Sequence, residues 1–151
     1  MKQTVTVAIR QQGVGLIEVL IAVLVLSIGF LGLAALQAKA LQNNNSAMTR
    51  SMATIASYSI LDAMRADPAG VSAGSYDGQT VTVGNCPQPG GSMVSEQLNF
   101  WCSQELLPLG AGARGLITSL GGGNYRITLT FDDSRASGGS AVQTITTQAK
   151  L

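Results

Sequence analysis

An α+β fold follows from three features of the sequence: a long N-terminal α-helix, hydrophobic in its first half, packs on a small C-terminal antiparallel β-sheet domain. The first feature is a run without charge from Val19 to Ala38. As a helix it is about 30 Å long, the thickness of a bilayer's hydrocarbon core. The second is helical spacing that continues past this run and meets no proline before Pro68. The third is alternation in Tyr125–Phe131, where Tyr125, Ile127, Leu129 and Phe131 share one face and Arg126, Thr128 and Thr130 the other.

Taken in order, residues 1–13 form a short polar leader that carries Lys2 and Arg10 and no acid. An ordinary secretory signal is cut after its apolar region, at a small-residue motif. Here the credible cut lies before it, so the apolar helix stays in the mature chain. Residues 14–38 are the membrane or filament-core segment, apolar all round. Lys39 and Arg50 follow it and offset Lys2 and Arg10, so the charge bias of the flanks does not set orientation. Residues 39–66 continue as an amphipathic helix in which Leu41, Met48, Met52, Ile55, Ile60, Leu61 and Met64 recur at spacings of three, four or seven. Pro68 closes it, because the residue before proline resists helical geometry. The helix of residues 14–66 is then about 80 Å long by the rise per residue.

Gly29 and Gly32 lie inside the apolar half. Each weakens a helix by about 1 kcal/mol against Ala, which suits a point of unwinding. Close packing against another membrane helix is the equal alternative.

Residues 67–151 read as a globular α+β domain rich in turns, since most of the 18 glycines lie beyond Pro68. Thr80–Val83 is a brief strand. Ser95 with Glu96 reads as a helix cap and first-turn acid, after which Leu98, Trp101, Cys102, Glu105 and Leu106 fall at helical spacing before Pro108 and Gly110. Trp101 reads first as the anchor of that short helix on the sheet, with a recognition residue as the alternative. Leu116–Leu120 and Tyr125–Phe131 are strands joined by a turn at Gly121–Asn124, and Ala141–Thr147 is β-prone after the loop Ser134–Ser140. Three or four antiparallel strands laid on the second half of the helix bury its apolar face.

Glu18 is the one acid before Asp62. An ionised carboxylate at the centre of a spanning helix costs about 2.5–3.5 kcal/mol, less near the interface, so it asks for a partner. Snorkelling to the headgroups is the plain reading. A cut after Gly13 offers a sharper one, because Val14 then carries a free amine four residues before Glu18.

Gly13, an apolar residue, Leu16-Ile17-Glu18 and an uninterrupted apolar helix together resemble the class III signal of type IV prepilins and pseudopilins. The resemblance implies that a prepilin peptidase cuts between Gly13 and Val14, that Val14 is N-methylated, and that Glu18 pairs with a neighbouring subunit's amine during assembly. Val14 stands where phenylalanine is usual and Gly15 where a small hydroxyl residue is common. Neither alters the charge pairing. Ile28-Gly29-Phe30-Leu31-Gly32-Leu33, Asp62-Ala-Met-Arg65-Ala-Asp67-Pro68, Leu106-Leu107-Pro108 and Tyr125–Phe131 with Asp132-Asp133 narrow it further, being similar to PilV-type minor pilins. Aspartate at 67 replaces their usual asparagine.

The resemblance implies a type IV pilin-like fold, with the leader cytoplasmic, one pass through the bacterial inner membrane, the C-terminal domain in the periplasm, and incorporation into a surface pilus. Implied partners are prepilin peptidase, the major pilin, other minor pilins, the inner-membrane assembly platform and membrane lipid. Cys86 and Cys102 both follow the membrane stretch. In an oxidising compartment a single disulfide is their natural use, with two buried free thiols as the alternative.

No catalytic machinery is expected. The chain has no histidine, which removes the commonest general base and metal ligand. Its two cysteines are too few for a zinc site. Asp132 and Asp133 are adjacent, and neighbours on a strand point to opposite faces, so they make a poor acid–base pair. Too few oxygen ligands stand near them for calcium. The glycine-rich turns lack the lysine and hydroxyl of a phosphate loop. No cofactor, metal or small-molecule substrate is therefore expected, and a net charge of +1 leaves no footprint for nucleic acid. The expected function is that of a minor pilin that helps start a type IV pilus. The alternatives are a pseudopilin of a type II secretion system and a membrane-anchored module that contacts a surface or DNA.

Overall fold

One uninterrupted α-helix, α1, runs from Leu16 to Ala66. A computed structural model describes residues 13, 15–136 and 138–151. They fall into two compact units that divide after Ala38. In the first unit every described side chain of α1 is exposed. Among the described residues this is one helix long and apolar enough to cross a membrane.

The second unit, Lys39–Leu151, is α+β. After α1 come α2 (Pro68–Ser72), β1 (Thr80–Thr82) and α3 (Met93–Phe100), then a π turn at Trp101–Glu105 and a short 3-10 turn at Leu107–Leu109. Strands β2 (Arg114–Gly121), β3 (Asn124–Phe131) and β4 (Gln143–Lys150) complete a four-stranded antiparallel sheet in the order β1-β2-β3-β4. The β2–β3 turn holds Gly121, Gly122 and Gly123 all at positive φ, a backbone that side-chain-bearing residues rarely adopt. The last strand begins and ends later than the β-prone stretch Ala141–Thr147.

Pro68 does end α1, yet it also opens α2. Its missing N–H is no loss at a first helical position, and the Asp67 carboxylate caps the turn by accepting from the Gly70 amide at 3.0 Å. The α3 cap is Ser92 rather than Ser95. The Ser92 hydroxyl accepts from the Ser95 amide and the Ser95 hydroxyl accepts from the Ser92 amide, so the expected cap residue is the N3 member of a capping box.

The face of α1 that packs on the sheet also differs from the apolar row in the sequence. Ile60, Leu61 and Met64 are buried, but Leu41, Met48 and Ile55 are 64%, 58% and 66% exposed. Small residues take their place on the inner face: Ser46, Ala53, Ala56 and Ser57. They let the helix approach closely, and larger side chains from the other elements fill the space. Trp101 is the main one. Its indole N–H donates to the Ala56 carbonyl at 2.9 Å, and its ring lies so close to Gly115 that a Cβ there would collide with it. The π turn brings Trp101, Cys102 and Leu106 inward together, and with Ile117, Tyr125, Ile127, Leu129 and Phe131 of the sheet they form the core.

A buried polar cluster closes the other end. The Tyr76 hydroxyl donates to the Asp67 carboxylate at 2.9 Å and also contacts the Gln97 side-chain oxygen, while Gln97 donates to the Ala63 carbonyl at 3.0 Å. Burial raises the Tyr76 pKa above the ordinary phenol value, and the Asp67 carboxylate adds to the shift.

Candidate functional site: the head of the long helix

The start of α1 is set by Gly15, whose carbonyl accepts from the Glu18 amide at 2.9 Å and the Val19 amide at 3.3 Å. Glu18 therefore stands in the first turn. The head of a helix carries partial positive charge on amides that lack the usual acceptor four residues back, and a carboxylate in that turn is favoured. This placement stabilises Glu18 independently of any cationic partner. It was legible from the glycine two residues ahead of Ile17. Gly13 is exposed. Val14, the expected new N-terminus and methylation site, lies outside the described residues, as does the leader before Gly13.

Gly29 and Gly32 lie within the unbroken helix, and a Cβ on either would meet nothing within 4 Å. No contact inside this chain's described residues requires glycine there.

Within the second unit Cys86 and Cys102 are bonded to one another. The bridge ties the segment after β1 to the π turn, with Cys102 fully buried. Asp132 and Asp133 lie just beyond β3 and serve different ends. Asp133 is buried and accepts from the Ser46 hydroxyl at 2.7 Å and from Arg50 at 2.9 and 3.2 Å. The Ser46 hydrogen bond holds its carboxyl below the usual carboxylate range, and Arg50 adds to this against the opposing effect of burial. Asp132 is exposed and accepts from the Ser134 amide at 2.8 Å, and its interactions with Ser134 lower its pKa. The pair is a clamp and a loop cap. Ser46, Arg50 and Asp133 carried no local signal, because the partners lie 87 and 83 residues apart.

An open cleft of about 930 Å³ beside the clamp is lined by Gln42, Asn45 and Thr49 of α1 and by the loops at Pro108–Ala111 and Asp132–Ala136. Ser46 and Asp133 also line it, and there the serine hydroxyl donates to a carboxylate that Arg50 engages as well. No cluster of metal-ligating side chains occurs among the described residues.

Residues 9–34 match the family model described as the prokaryotic N-terminal methylation motif. The match spans Gly13, Val14, Glu18 and most of the charge-free run. No curated protein and no solved structure matches the chain. The match supports a type IV pilin-like protein, processed by prepilin peptidase, anchored by an apolar helix and assembled with other pilins. That class is structural rather than enzymatic, and a long helix followed by a small four-stranded sheet is consistent with its fold.

Proposed function

We propose that the chain is a minor pilin of the PilV type that helps prime a type IV pilus at the inner membrane. In this reading prepilin peptidase cuts between Gly13 and Val14, and Val14 is N-methylated. Residues 14–38 stay in the membrane until the helix passes into the filament core. There Glu18 receives the amine of a neighbouring subunit, a pairing worth more in a low-dielectric setting than in water. Residues 39–66 and 67–151 form the periplasmic domain, and the partners are the major pilin, other minor pilins and the assembly platform.

The pilin-like part of the reading is carried by the motif match over residues 9–34, with Glu18 in the first turn of a helix that holds no further charge before Lys39, and the minor-pilin part rests on the PilV-type resemblance of the later segments. Deleting the chain should cut surface pili sharply while the major pilin remains in the membrane. A Glu18→Ala chain should still lose residues 1–13, as read by intact mass, yet be missing from sheared fibres. Fibres made mainly of this chain would make it the major pilin. Unchanged pili with blocked release of a folded exoprotein would make it a pseudopilin, and wild-type incorporation of Glu18→Ala would end the pairing argument.

A further inference from the structure

The sheet has one face in the core and one that no described element covers. On β3 the buried side chains are Tyr125, Ile127, Leu129 and Phe131, so the intervening residues point outward. The register aligns them across strands in the rows Thr82–Arg114–Thr130–Thr144, Thr80–Leu116–Thr128–Thr146 and Thr118–Arg126–Gln148, with Leu116 the apolar member of the middle row. Lys150 stands opposite Asn124 at the end of β4.

Threonine is favoured in strands for its shape alone. Strand propensity does not account for the sorting of charge. Residues 39–151 carry seven basic and seven acidic side chains, yet the four strands hold Arg114, Arg126 and Lys150 and no acid. Arg50 and Arg65 have carboxylate partners, whereas these three cations have none among the described residues. Arg126 keeps its Nε enclosed with no acceptor among the described residues. Register and strand spacing put the three Cα positions on one diagonal, with steps of about 14 Å and about 8 Å.

We propose that this outer face docks an acidic polysaccharide. Its carboxylates pair with Arg114, Arg126 and Lys150, and its hydroxyls hydrogen-bond the threonines between them. Sparse cations set among hydroxyls are complementary to sparse carboxylates set among hydroxyls, and a guanidinium takes a carboxylate in two parallel bonds. Other partners fit less well. Single-stranded nucleic acid asks for aromatic platforms, and the face has no aromatic ring. Duplex binding draws on a clustered positive field, and this unit is neutral. The docking role does not depend on the assembly role.

The test uses the full chain in non-ionic detergent micelles, with polygalacturonate, neutral dextran and duplex DNA as probes at one ionic strength. Polygalacturonate should bind and dextran should not. The triple variant Arg114→Gln, Arg126→Gln, Lys150→Gln should weaken binding about tenfold or more, with its melting temperature kept. Thr128→Val with Thr146→Val should weaken it about threefold with every charge in place. Arg135→Gln, on the loop after β3, should change nothing. Should the triple variant lose its fold, Lys150→Gln serves alone, with an expected loss of about twofold. No binding to polygalacturonate, or binding untouched by these changes, overturns the proposal. Tighter binding to the duplex overturns it in favour of nucleic acid.

Discussion

Up to Ala38, α1 buries none of its described side chains and consists almost wholly of apolar ones. Beyond Lys39 the same helix buries Ser46, Ala53, Ala56 and Ser57 while leaving Leu41, Met48 and Ile55 exposed. The two stretches obey different rules. In the first, side chains are chosen for the medium they meet, and any apolar residue of similar size serves. In the second they are chosen for fit as well: small residues stand where the indole of Trp101 comes close, and Ile60, Leu61 and Met64 fill the core beyond them.

This difference predicts unequal responses to substitution. Trp101→Ala should have the largest effect, because it empties a filled site and leaves the Ala56 carbonyl without its side-chain donor; core truncations of this size cost about 3–5 kcal/mol. Gly115→Ala should destabilise by overpacking against the same ring, by about 1–3 kcal/mol. Leu24→Ala should move thermal unfolding of the second unit by no more than about 0.5 kcal/mol. Melting followed by near-ultraviolet circular dichroism in detergent compares the three. Equal losses for Leu24→Ala and Trp101→Ala would erase the distinction.

The disulfide ranks beside the core substitutions of the second unit. Cys86 and Cys102 are 16 residues apart, and the chain-entropy model assigns a bridge of that length about 3 kcal/mol. Cys86→Ser and Cys102→Ser should each lower stability by that order. Thiol labelling of the unreduced, denatured protein should find neither cysteine free. Two labelled thiols in protein taken from the periplasm would contradict it.

The clamp adds a pH dependence. The folded state holds the Asp133 carboxyl below its ordinary range, so the unfolded chain takes up its proton first. Its contribution is present at neutral pH and is lost as pH falls below about 4. Asp133→Asn should flatten the acid limb of a stability-against-pH curve, leaving the contribution of Asp132. An unchanged limb would show that Ser46 and Arg50 do not favour the ionised carboxylate.

The legibility of the chain follows the same division. The span of α1, the alternation of β3 and the turn at Gly121–Asn124 repeat a period along the sequence, and periods survive without knowledge of neighbours. Glu18 was conspicuous because charge is rare in an apolar run. The small-residue face of α1 was hidden, since Ser46, Ala53, Ala56 and Ser57 resemble a solvent face until Trp101 is placed against them. Ser46, Arg50 and Asp133 meet through the fold rather than along the chain. The cap at Ser92 is masked in the sequence because Ser95 and Glu96 give a cap signal of their own three residues later, as a reciprocal box does.

Trp101 is the single tryptophan in the chain. Its ring meets both α1 and β2, so one chromophore reads the union of helix and sheet with no label attached. Loss of that contact exposes the indole to water and alters its fluorescence. The emission can therefore follow the second unit's integrity through extraction, membrane insertion and polymerisation, stages at which bulk spectroscopy is dominated by the long helix.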